Sequence, residues 1–137
     1  MTIDRVHILE QAIVNILSID GWQLEWCGGE FEHYDAKGIT PKGNKCIIEM
    51  KFRDKYYPTK MLEKYKYDKM MQLPEDVVKL YFVNDPKANY MFWLNSLVLP
   101  EPIQLDCPST TLWEQNKRPK RVYLLEESQA AIINSNK

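Results

Sequence analysis

The chain has little that would carry it into or across a membrane. No uninterrupted apolar run among its 137 residues approaches the roughly 20 needed to span a bilayer. The first five residues, Met-Thr-Ile-Asp-Arg, have no signal-peptide character. A soluble, intracellular, cytoplasmic protein is the expectation. Cysteine and histidine are also scarce. Cys27, Cys46 and Cys107 are odd in number and far apart, and with only His7 and His33 to help they give no zinc-binding spacing. Reduced, mostly packed thiols are expected. There is no internal repeat, no low-complexity tract and almost no net charge, the formal value being -1. What is present is apolar mass: 45% of the residues are hydrophobic, enough for one domain of this length to bury a real core.

The small net charge conceals a reversal along the chain. Residues 1 to 36 hold one cation, Arg5, against seven anions, whereas residues 42 to 70 hold nine cations against four anions. A basic stretch flanking clustered carboxylates suits a polyanion whose reacting group must meet metal ions, although lysines along a helix also serve as a solvated face.

Residues 3 to 18 carry Ile3, Val6, Leu9, Ile13, Ile16 and Leu17 at helical spacing, with Thr2 available as N-cap. Glu10 falls inside the apolar arc of Val6, Ile13, Val14 and Leu17. It must meet a metal, a cation or a hydrogen-bond cluster, or else reach water at the edge of the stripe. Residues 22 to 27 alternate as a strand, Gly28 and Gly29 turn the chain, and residues 31 to 35 form a second strand ending at Asp35. Residues 36 to 44 are a connection rich in turn formers, followed by a central strand over residues 45 to 53. Thr59 is placed to cap a helix running to about residue 72, with Met61, Leu62 and Tyr65 on its apolar face, Lys69 within that arc and Lys66 at its margin. Strands follow over residues 78 to 83 and 90 to 94. Pro100, Pro102 and Pro108 break up a loop-rich extension over residues 95 to 137, which includes Trp113 and one late strand at 121 to 125. The reading is a single domain over residues 1 to 137 with a core at about 3 to 94. Its class is α/β or α+β: a helix, three strands, a helix and further strands around one central mixed sheet flanked by helices.

The chemistry centres on Glu49-Met50-Lys51. A strand alternates its side chains, so Ile48, Met50 and Phe52 enter a core while Glu49 and Lys51 emerge together on the other face. That sets an acid beside a base on a rigid element. With Asp35 on the adjoining strand and Glu10 on a helix packed against the sheet, three carboxylates and one lysine can meet. Asp35 and Glu49 offer hard oxygen ligands for one or two magnesium ions, with Glu10 completing the shell directly or through water. Lys51 would orient a water or stabilise charge on a phosphate.

The order Glu10, then Tyr34-Asp35-Ala36, then Ile48-Glu49-Met50-Lys51 resembles the PD-(D/E)XK nuclease superfamily, the restriction-endonuclease-like fold. The resemblance covers about residues 3 to 94 and includes Tyr65-Lys66-Tyr67 and Leu80-Tyr81-Phe82-Val83. It departs from the family name at Tyr34, which stands where the Pro would be. It implies a metal-dependent nuclease, with Asp35, Glu49 and the Met50 carbonyl as metal ligands, Lys51 as the catalytic lysine, and Mg2+ as cofactor, Mn2+ substituting. The family's small members include Holliday-junction resolvases, phage-type nucleases and a homing endonuclease built on this fold, of which the last two look closest in size and in the helix carrying the acid. Arg53 and Lys55, just beyond the strand, are the expected contacts to DNA phosphates, with Lys66 and Lys69 as further candidates. His33 shares a strand face with Asp35, and Lys117, Arg118, Lys120 and Arg121 form a second basic cluster. The expected function is a magnesium-dependent DNA endonuclease acting as a homodimer or larger assembly on duplex or branched DNA. Its alternatives are a structure-specific Holliday-junction resolvase, a ribonuclease, and a nucleic-acid-binding protein that keeps the fold without turnover.

Overall fold

The computed structural model describes residues 2 to 28, 34 to 108 and 117 to 135. The first helix, α1, is Ile3–Ile19. Thr2 caps it, its hydroxyl accepting the Arg5 N–H at 3.2 Å, which satisfies a donor the helix itself cannot. It ends at Asp20 and Gly21, where the positive φ of 94° suits glycine. Strand β1, Gln23–Trp26, then pairs antiparallel with β2, Ala36–Ile39, which pairs antiparallel with β3, Lys45–Phe52. Here the sequence reading needs correction. The second strand lies after Asp35, in the segment expected to be a connection, and Asp35 precedes it; residues 31 to 33 lie outside the described residues. Gly38 is a strand residue rather than a turn former. A Cβ at that position would stand 1.8 Å from the Gln23 carbonyl oxygen, so the glycine serves close strand approach.

The chain then crosses one face of the sheet through β4, Thr59–Glu63, and α2, Lys64–Met71, and returns as β5, Val78–Asn84, parallel to β3. The expected helix start at Thr59 is a second correction. Residues 59 to 63 are a strand in which Lys60 and Leu62 are buried, and they pair with β8, Lys117–Glu126, a partner too distant in sequence for local periodicity to reveal. Strand β6, Ala88–Trp93, pairs antiparallel with β5, and β9, Ile132–Ser135, with β6. The main sheet therefore runs β1-β2-β3-β5-β6-β9, mixed and flanked by two helices as expected. The loop-rich extension is a third correction. Strand β7, Ile103–Pro108, joins β8 and β4 in a separate three-stranded sheet, and β9 completes the main one. Trp113 lies outside the described residues.

Two apolar layers sandwich the main sheet. Cys46, Ile48, Met50, Leu80 and Phe82 pack beneath α1 with Val14, Ile13 and Leu17. Ile47, Tyr81, Val83 and Phe92 face the other way, with Leu62, Met70, Tyr123 and Leu125 of α2 and the small sheet. The period-2 alternation of β3 thus assigns Ile48 and Met50 to one layer, and leaves Glu49 and Lys51 on the face shared with Ile47. Among the described residues, no helix is long and apolar enough to cross a membrane.

Candidate active site

Asp35 stands where the β2–β3 ladder ends. Its N–H donates to the Ile48 carbonyl at 2.8 Å, and its Oδ2 accepts the Met50 N–H at 2.7 Å. A side chain thus takes the position a backbone carbonyl would fill, and the carboxylate is anchored beside the residues that flank Met50. Glu49 is 5% exposed, and its Oε1 accepts from Lys66 Nζ at 3.1 Å. Glu10 is 4% exposed on α1, its Oε1 accepting the Trp26 indole N–H at 3.0 Å. Asp35 is a close neighbour of the same carboxyl group. The apolar-arc argument for Glu10 therefore resolves to a hydrogen-bond cluster.

The electrostatics follow from burial and proximity. Burial, with the Asp35 charge adding to it against the Trp26 hydrogen bond, pushes Glu10 up to about 7. Glu49 is likewise pushed up to about 7, by burial foremost and by Asp35, with Lys66 and Lys51 opposing. Burial also lowers Lys51, reinforced by the Lys66 and Arg53 charges against the pull of Glu49 and Glu63. Lys66 is held above the ordinary lysine range because Glu49, Glu63 and Asp35 outweigh the cost of its burial. Four expected residues, Glu10, Asp35, Glu49 and Lys51, are thus brought into one interacting group.

The basic candidates divide. Lys66, expected at the margin of an apolar face, is drawn into the carboxylates. Lys69 stands over the Tyr65 ring, its ammonium 5.7 Å from the centroid, and Lys55 is exposed beyond the strand. Arg53 is half-buried, its charge close to Lys51 and Tyr81, while its Nη2 is a buried donor with no partner. Glu63 is a member the sequence reading missed. It sits between β4 and α2, accepts from Lys120 Nζ at 3.1 Å, and feels the charges of Lys66 and Lys51, which together with Lys120 hold it below the ordinary carboxylate range against its burial. It was hidden because the segment read as a helix. Lys120 thereby comes from the second basic cluster into this neighbourhood. Arg121 is exposed, and the side chains of Lys117 and Arg118, like His33, lie outside the described residues.

Among the described residues, no three His, Cys, Asp or Glu side chains form a group that could hold a metal ion by themselves. The donor set that remains is the carboxylates of Asp35 and Glu49 with the Met50 carbonyl. Such hard oxygen donors are of the kind that could hold a divalent cation, with water and substrate phosphate filling the remaining positions.

No family model matches the sequence, and no curated protein does. The structure is similar to that of Hjc, a Holliday junction resolvase from the archaeal hyperthermophile Archaeoglobus fulgidus. The TM-score is 0.60 at 13% identity, covering 93% of this chain and 88% of that one. With its central mixed sheet, flanking helices and this likeness, the chain has the restriction-endonuclease-like fold on which the PD-(D/E)XK nucleases are built.

Proposed function

We propose that the protein is a divalent-metal-dependent DNA endonuclease that hydrolyses phosphodiester bonds, with its active site at the edge of β3. The observation that carries this reading is the convergence of Glu10, Asp35, Glu49 and Lys51 on that edge in a chain with this fold. Asp35 and Glu49, with the Met50 carbonyl, would hold Mg2+, or Mn2+ in its place. When bound, the cation lowers the pKa of a coordinated water and offsets charge on the phosphate. The Met50 N–H keeps Asp35 from rotating away from the strand. Lys51, whose lowered pKa reflects a desolvated ammonium, orients the attacking water and stabilises the developing charge. The unpartnered Arg53 nitrogen is a donor suited to a phosphate oxygen, and exposed Lys55 lies just beyond the strand toward the flanking backbone.

The likeness to a resolvase favours branched DNA as a second reading of the substrate. Duplex or branched DNA calls for two sites, and we propose a homodimer of single-domain protomers. The outward stripe of α1 supports it: Ile8, Ala12 and Ile16 are exposed and symmetric about Ala12, so an antiparallel second copy would match Ile8 with Ile16.

The test compares wild type, Asp35→Ala and Lys51→Ala on supercoiled plasmid, a four-way junction and an RNA, with magnesium and with chelator. Both variants are expected to keep DNA binding and lose at least about 100-fold in cleavage rate. Equal turnover by all three proteins overturns the assignment. Binding without cleavage by wild type on every substrate selects a non-catalytic nucleic-acid-binding protein instead.

A further inference from the structure

The hydrogen bond from Lys66 to Glu49 is at odds with a carboxylate that is to hold a metal ion. Glu49 is nearly buried, and its Oε1 is already engaged by an ammonium at 3.1 Å. Lys66 belongs to the first turn of α2, while Glu63 is the residue immediately before that helix, three positions earlier and therefore on the neighbouring turn. Glu63 lies within the electrostatic reach of Lys66 and is fixed from its other side by Lys120 at 3.1 Å. One flexible lysine thus has two carboxylates within its range. One belongs to the metal-binding set and one does not.

We infer that Lys66 is the resident cation of this site, neutralising Glu49 until a divalent ion displaces it, and that Glu63 is the partner that receives it. The inference rests on the proposed assignment of Glu49 as a metal ligand. The physical need is plain: Glu10, Asp35 and Glu49 are buried together with Lys51, and Lys66 is the cation hydrogen-bonded directly to Glu49, offsetting negative charge held away from water. A divalent ion and an ammonium cannot share the same carboxylate oxygen without strong repulsion, so binding one releases the other. The four-carbon stem of Lys66 allows the move without shifting α2, and the Lys120 bridge holds Glu63 where the ammonium arrives. Lys66 is then a positioning residue whose removal strengthens metal binding, the opposite of what loss of a ligand would do.

The experiment is a calorimetric titration of Mn2+ into metal-free wild type, Lys66→Gln, Lys66→Arg and Glu63→Gln. Lys66→Gln is expected to bind Mn2+ about tenfold more tightly than wild type, Lys66→Arg to remain close to wild type, and Glu63→Gln to bind several-fold more weakly. Equal or weaker binding by a folded Lys66→Gln protein overturns the inference while leaving the nuclease reading intact, provided wild type cleaves DNA with magnesium. Absence of binding to wild type and Lys66→Gln alike overturns both. Should Lys66→Gln fail to fold, Glu63→Gln decides, because unchanged Mn2+ affinity there removes the receiving partner from the scheme.

Discussion

Glu10 and Glu49 are each pushed from the ordinary 4.5 to about 7, and that sets a sign for stability against pH. A carboxyl group that holds its proton more tightly when folded stabilises the fold below its unfolded value and withdraws that support as pH rises through the folded one. In chelator, the melting temperature should therefore fall as pH climbs from about 5 to about 8. Glu10→Gln should flatten the slope and melt a few degrees higher than wild type at about pH 8. Scanning calorimetry across that range checks it. A melting temperature that rises with pH in this window would contradict the buried-cluster description. At this scale much was legible in the sequence: alternation on β3 separates Glu49 and Lys51 from Ile48 and Met50, and helical angle singles out Glu10. Lys66 and Glu63 were not legible in these roles, because what draws Lys66 inward is the buried Glu49, and Glu63 matters only through the Lys120 of a strand far along the chain.

At the scale of elements, the junction between the two sheets depends on a second polar cluster. Lys60 of β4 is 3% exposed; its Nζ donates to Asp85 Oδ2 at 2.7 Å, to the Tyr57 carbonyl at 2.6 Å and to Glu127 Oε1 at 3.2 Å, and it lies over the rings of Tyr56 and Tyr90. Asp85, in the β5–β6 turn, also accepts the Lys87 and Ala88 N–H groups. Burial opposes its ionisation, but these partners outweigh it and hold Asp85 below its ordinary value, so this contribution persists above about pH 4 and is lost as acid protonates it. Lys60→Met should cost about 3 to 5 kcal/mol in urea unfolding, because Asp85 would lose the buried ammonium that its charge faces. Metal affinity at the distant carboxylates should be unchanged. The same segment shows where the sequence was illegible. Thr59 to Glu63 contains good helix formers, and pairing with β8 makes it a strand, whereas α1 and β3 followed their own periodicity and β5 and β6 their apolar runs.

For the molecule as a whole, the symmetric stripe on α1 makes a prediction about mass. Ile16 is 55% exposed, so Ile16→Glu should leave the fold untouched while preventing a second copy from covering the helix. Sedimentation should give a species of twice 16.2 kDa for wild type and of 16.2 kDa for the variant. A monomeric wild type would remove this surface from the proposal. The sheet order has a consequence of another kind, in time. Strand β9 is the partner of β6, yet residues 94 to 131 separate them. As a ribosome works toward residue 132, the other five strands of the main sheet have already been made, and β6 carries an open row of backbone donors and acceptors. Until the last strand arrives, each nascent chain is a template for its neighbours on a polysome, and a stalled one remains so.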